Sequence, residues 1–306
     1  MTSRRYCWLL LLGTLLGAMC VVGSSLALDH YGLFREPKGV SRKIYGSERT
    51  GKYLLAHRYV PANFAGLMLG GSVTNNWNTK GIAHPRLYNA SINGGNLSEE
   101  KLIADLVIAQ GKLEWLVLCM HPYLTMTRGR KTEYMTPREY WSALGSLDLF
   151  YVEAAKLLAD SGIRPDHHNE FGDANYSRYS PGARKLTDDY IRERRGSGKP
   201  HRMFGTAPGA FDDLGALISQ ATAHGIRVAV IYPPVYKPRF DVEQTDWEAY
   251  WHKVEAMLPP GTRVLNLNAP EFDAGRMDFA NFEDGTHLRR SYSDALLPKV
   301  AELLAD

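Results

Sequence analysis

Cysteine is scarce: the 306-residue chain has three, and Cys7 and Cys20 lie in one apolar run near the N-terminus. Cys119 is then alone in the remainder, so no disulfide can staple that part and its stability must come from a hydrophobic core. The histidines and cysteines form no closed metal-ligand spacing, so no metal site is expected. An excess of one charge is missing too. With 36 basic against 33 acidic residues and no dense Lys/Arg stripe, nucleic acid is not expected as a partner. Internal repeats and low-complexity tracts are absent, which excludes a solenoid or a fibrous chain.

Long apolar runs are missing except for one. Residues 6–28, "YCWLLLLGTLLGAMCVVGSSLAL", carry no charged side chain, follow Arg4 and Arg5, and end at Asp29. A helix of that length spans a hydrocarbon core of ~30 Å. The arginines would stay in the cytoplasm and send the rest of the chain across the membrane. The run exceeds the ~7–15 apolar residues of a signal-peptide core, which favours a retained inner-membrane anchor. Ser25 and Ala27 also offer a small-x-small cleavage site, which would leave a secreted or periplasmic protein. Bulky Met19 argues against lipoprotein processing at Cys20. We therefore expect a signal anchor or signal peptide over 1–28, a partly helical lead-in over 29–60, and one large domain over 61–306 facing the periplasm or exterior.

Within 61–306, short apolar runs alternate with amphipathic segments. Residues 65–70, 86–92, 113–120, 226–232 and 263–268 read as strands. Residues 98–111 read as a helix starting at Ser98 with Glu99 and Glu100 in its first turn, and helices are expected over 144–162, up to about 224, within 244–258, and over 291–305. The connections are too long for hairpins, so the expected fold class is α/β, with a mostly parallel sheet covered by helices on both faces. Residues 163–208 break the rhythm. They are polar, charged and poor in aliphatic side chains, and read either as a solvated insertion with one helix near 185–195 or as a substrate-binding arm. In the second reading Tyr176, Tyr179 and Tyr190 offer flat faces to a sugar, and Arg178, Arg192, Arg194 and Arg195 offer donors.

Ligands of open α/β sheets bind at the carboxyl ends of the strands, and three candidate segments fall there. In "MLGGSVTNNW", Ser72 follows two glycines after a buried strand, where a helix is expected to begin. The position suits an N-cap, and equally a nucleophile whose own amide binds an oxyanion. In "YNASINGGN", residues 88–96, a glycine pair leaves backbone N–H groups unobstructed. In "FEDGTHL", residues 282–288, Asp284 and His287 either cap a helix or act as orienter and base for a distant serine.

Taken in order, these blocks resemble the SGNH/GDSL hydrolase family over residues 65–306. "GGS" stands where that family has G-D-S, a variant similar to the branch of periplasmic alginate O-acetylation and teichoic-acid D-alanylation proteins. The resemblance implies a three-layer α/β/α, flavodoxin-like fold and a Ser72–His287–Asp284 triad. The family's N-x-x-x-x-G block falls on Asn89 and Gly94, which makes the Gly94 amide an oxyanion donor beside that of Ser72, with Asn89 as a further candidate. Where the family has an asparagine after the third strand, this chain reads "CMHPYLTM", leaving His121 or Tyr123 to stand in, or two amides to suffice. The implied activity is ester hydrolysis or O-acyl transfer without a cofactor, on a small ester or an acylated carbohydrate. A membrane-bound O-acyltransferase is the implied protein partner. A catalytically inactive subunit that binds polysaccharide or such an acyltransferase is the alternative.

Overall fold

The computed structural model describes residues 3–126, 134–175, 181–197 and 201–305. Strands β1 (Gly66–Gly70), β2 (Leu87–Asn89), β3 (Trp115–Cys119), β4 (Arg227–Tyr232) and β5 (Arg263–Asn266) form one sheet of order β2-β1-β3-β4-β5, with every neighbouring pair parallel. This is the flavodoxin-like order, and the chain reverses its direction of travel across the sheet between β1 and β3. The helices are α1 (Ser3–Leu28), α2 (Glu48–Ala56), α3 (Tyr59–Asn63), α4 (Leu97–Ile108), α5 (Pro122–Thr125), α6 (Pro137–Ser142) and α7 (Leu147–Asp160). They continue with α8 (Ala183–Ser197), α9 (Ala210–Ala223), α10 (Lys237–Asp241), α11 (Gln244–Glu255), α12 (Asp273–Met277) and α13 (Arg290–Leu304).

The strands are apolar on both faces because both faces are covered. Leu67, Leu69, Leu116, Leu118, Val228 and Val230 pack with α2, α4, α9 and α11 in one core. Met68, Val117, Cys119, Ala229 and Ile231 point the opposite way, onto α8 and α13. The period of two along each strand therefore builds the three-layer α/β/α arrangement that the alternating pattern predicts.

Two local expectations change. The helix expected from Ser98 starts at Leu97, because Asn96 and Glu99 form a reciprocal capping box: the Asn96 side chain accepts from Glu99 N at 3.1 Å and the Glu99 carboxylate from Asn96 N at 3.0 Å. Ser98 instead bonds Asp213 at 2.6 Å. No helix begins at Ser72; residues 72–76 form successive turns closed by Thr74 N to Gly71 O and Trp77 N to Thr74 O. Residues 29–60 hold α2 and the start of α3, and Leu54, Leu55, Tyr59 and Val60 sit fully buried in the larger core.

Candidate active site

Ser72 follows the carboxyl end of β1, where Gly70 lets the chain turn sharply. A Cβ on Gly70 would lie 2.3 Å from Thr74 Oγ1 and 2.9 Å from Ser91 Oγ, so only glycine fits. Gly71 is different: the nearest atom to a Cβ there is Leu124 Cδ2 at 3.7 Å, an ordinary contact. The turn is held from β2. Asn89 Nδ2 donates to Thr74 O at 3.0 Å and Asn75 O at 3.2 Å, while Asn89 Oδ1 accepts from Ser91 N at 3.1 Å. Both amide hydrogens are thereby committed. Asn89 positions the serine turn, and its assignment as an oxyanion donor is corrected on that ground.

His287 arrives from the far end of the chain on a tight loop. Phe282 and Leu288, both fully buried, close it through an antiparallel bridge, and Glu283 N donates to His287 O at 2.8 Å. Asp284 Oδ1 accepts from His287 N and Thr286 N, each at 2.8 Å, and from Thr286 Oγ1 at 3.0 Å. Asp284 Oδ2 lies 2.7 Å from His287 Nδ1, and His287 Nε2 lies 2.9 Å from Ser72 Oγ. One carboxylate oxygen shapes the loop while the other faces the imidazole; neither caps α13, whose N-cap Arg289 has no side-chain hydrogen bond, so the helix-cap alternative is corrected. With the Nδ1 hydrogen on Asp284, the Nε2 lone pair faces the serine hydroxyl. Burial alone would raise the Asp284 carboxyl, but His287 and the backbone N–H groups of His287 and Thr286 hold it well below the usual carboxylate range.

The loop has little room to shift. A Cβ on Gly285 would come within 2.9 Å of Arg239 Cδ and 3.0 Å of Thr187 Cγ2 on α8. Gly285→Ala should displace the imidazole and lower kcat on an activated acetyl ester by about 10²-fold, read from steady-state kinetics.

Among the described residues, neither the Ser72 nor the Gly94 N–H donates a hydrogen bond, although the flanking Asn93 N bonds Glu48 at 3.1 Å and Gly95 N bonds Ile92 O at 3.0 Å. Gly94 has a φ of 63°, a left-handed conformation that favours glycine at this turn. His121 is buried. Its Nδ1 accepts from Tyr123 N at 3.2 Å, capping α5, and its ring meets Trp247 edge-on at 5.1 Å. Tyr123 bonds the buried Arg239.

Sequence reasoning missed the polar cluster that supports these turns. Lys52 on α2 is fully buried, donates to Asn75 Oδ1 at 3.1 Å and to Ser91 O, and lies 3.2 Å from Glu48 Oε1. Glu48 accepts from Asn75 Nδ2 at 2.6 Å and contacts His168 Nε2 at 3.3 Å. Burial works to raise the Glu48 carboxyl, but Lys52, His168 and the Asn93 N–H outweigh it and hold it well below its usual value. One ion-paired cluster thus joins α2 to both turns at the carboxyl edge. Lys52→Met would strand Glu48 without its cation and should cost about 3–5 kcal/mol in urea unfolding, with part of the loss restored by adding Glu48→Gln.

Of the residues assigned to a substrate arm, Tyr176, Arg178 and Tyr179 lie outside the described residues. Tyr190 is engaged: its hydroxyl bonds Glu243 and Arg239 stacks 4.7 Å from its ring. Arg194 pairs with Glu243 and Asp246. Both hold α8 to α10 and α11, so their assignment to sugar binding is corrected. Arg192 and Arg195 remain exposed. Residues 171–174 are woven behind the serine turn, where Ala174 N bonds Asn75 O at 2.8 Å and Thr79 Oγ1 bonds the buried Asp173 at 2.7 Å.

No family model matches the chain, and neither does any curated protein. Solved structures do resemble it. One, from Streptococcus pneumonia and provisionally described as a platelet activating factor, is 14% identical, covers 84% of this chain and 91% of its own, and superposes with a TM-score of 0.45. A provisional acylhydrolase from Bacteroides fragilis is 11% identical over 78% of this chain and 86% of its own, with a TM-score of 0.38. A GDSL-like lipase from Bacteroides thetaiotaomicron is 12% identical over 78% and 87%, also with a TM-score of 0.38.

Proposed function

We propose that this chain is an SGNH-type serine hydrolase or O-acyltransferase that acts outside the cytoplasm on an acylated, in particular acetylated, cell-envelope or extracellular polysaccharide. The observation that carries the reading is the unbroken relay from Ser72 Oγ through His287 to Asp284 at the carboxyl edge of the sheet. Ser72 attacks the ester carbonyl as His287 Nε2 takes its proton, and Asp284 steadies the imidazolium. The N–H groups of Ser72 and Gly94 bind the oxygen as it becomes negative. The tetrahedral adduct collapses, His287 returns the proton to the departing alkoxide, and an acyl-Ser72 ester remains. Water or a sugar hydroxyl, deprotonated by the same imidazole, then releases the acyl group.

Support for the location comes from α1, a 26-residue, almost entirely exposed apolar helix that is long enough to cross a bilayer. A retained anchor would hold the site near membrane-bound partners such as an O-acyltransferase.

An active-site phosphonylating probe tests the chemistry. Covalent labelling that disappears in Ser72→Ala supports the enzyme. Absence of labelling in the folded protein would favour the non-catalytic subunit, a reading motivated by the absence of asparagine in the 119–126 segment after β3.

A further inference from the structure

Helix α7 is apolar on two sides. Leu149, Val152 and Ala155 are buried against the larger core. On the outer side, Phe150, Ala154, Leu157 and Leu158 recur at helical spacing and are exposed. Phe150 is 75% exposed, Leu157 68%, and Ile163 just beyond the helix 74%. On neighbouring α6, Trp141 is 63% exposed. This stripe runs beside the exposed Lys156–Asp160 pair and is larger than the scattered apolar side chains of an ordinary solvated surface.

The position of α1 indicates what covers it. The loop between α6 and α7 touches α1, since a Cβ on Gly145 would lie 2.9 Å from Val21 Cγ1. Val21 stands about two turns, or ~10 Å, before the end of α1 at Leu28. If α1 spans a bilayer, the α6–α7 loop therefore lies below the level at which the chain leaves the hydrocarbon. The same wall opens into a cavity of about 700 Å³ between the two elements, lined by Leu28, Phe150, Ala154 and Leu157 and edged by charges of both signs, Arg42, Lys43 and Lys156 with Glu153 and Asp160. Apolar walls beneath a charged rim suit an acyl chain below a polar headgroup. Trp141 and Tyr151 are of the type that settles at a membrane interface.

We propose that α6 and α7 lie in the outer leaflet of the membrane crossed by α1, with the Phe150–Leu157 stripe among the lipid acyl chains. The protein would then be held at two points, by a spanning helix and an in-plane one, which fixes its tilt. The inference rests on the reading of α1 as an anchor, and the experiment separates the two.

The full chain is reconstituted into phosphatidylcholine–phosphatidylglycerol vesicles in a Cys7→Ser/Cys20→Ser background, leaving the buried Cys119. An environment-sensitive fluorophore is attached at Phe150→Cys or Leu157→Cys on α7, at Leu12→Cys on α1, and at Glu271→Cys as an exposed control. Far-UV circular dichroism verifies each fold. Lipids carrying a nitroxide high on the acyl chain should quench both α7 labels about threefold more than the Glu271 label, and more than a nitroxide at the chain terminus does. Quenching of the Leu12 label alone, with the α7 labels behaving like the control, would overturn the proposal and leave the anchor standing. Quenching on α7 alone would support the in-plane helix and remove the anchor. If neither helix is quenched, both readings fall.

Discussion

Ser72→Ala is expected to abolish turnover of a small acetyl ester, lowering kcat by about 10⁶-fold if the relay acts as a unit. The substitution removes one hydroxyl from a turn held by backbone bonds and by Asn89, none of which involve Ser72 Oγ. The fold should therefore be untouched, and unfolding midpoints of the two proteins should coincide. What disappears is the atom that becomes covalently bonded to the acyl group, and with it the hydrogen-bond partner of His287 Nε2. Stopped-flow or steady-state rates on p-nitrophenyl acetate measure the loss. Turnover within a few-fold of wild type would sink the serine mechanism.

Asp284→Asn should cost about 10⁴-fold in kcat. An asparagine can keep its oxygen where Asp284 Oδ1 accepts from the His287 and Thr286 backbone, so the loop should survive. Its amide would face His287 Nδ1, in place of the carboxylate oxygen now 2.7 Å away. That donor forces the proton onto Nε2, so the imidazole presents an N–H to Ser72 and cannot accept its proton. The stability linkage has a definite sign. Because the folded carboxyl is held below its usual value, its contribution is present above the unfolded pKa of about 3.9 and is lost as pH falls through the folded value. Between about pH 5 and 8 the wild-type and Asp284→Asn melting temperatures should therefore run parallel, converging only in stronger acid. Convergence near neutrality would mean that Asp284 is not held by His287 and its loop.

The strands were legible because apolar runs ended by glycine or proline leave little choice once both sheet faces are covered. Helix α4 was legible in extent but not in its start, since Asn96 and Ser98 are both good caps and only the reach of Glu99 decides between them. Ser72, Asp284 and His287 could be singled out by order and placement: the serine directly after a strand, the glycine-rich turn next, and the D-x-x-H pair just before the last helix. Their supporting cluster could not. Lys52 and Glu48 fall in the 29–60 lead-in, where the sequence marks out no site, and only packing of α2 against α4 and the residue 91–93 turn turns them inward. Tyr190 and Arg194 failed in the opposite direction: residues suited to a sugar are equally suited to Glu243, and a short sequence distance says nothing about a partner 53 positions away.

The contact between Ser72 and His287 spans 215 positions. During synthesis the serine turn, its β1 strand and the Asn89 brace all emerge long before the base exists. Only when the 282–288 loop is in place can His287 reach Ser72, so under the proposed mechanism a chain ending before His287 would fold its serine turn yet lack its base.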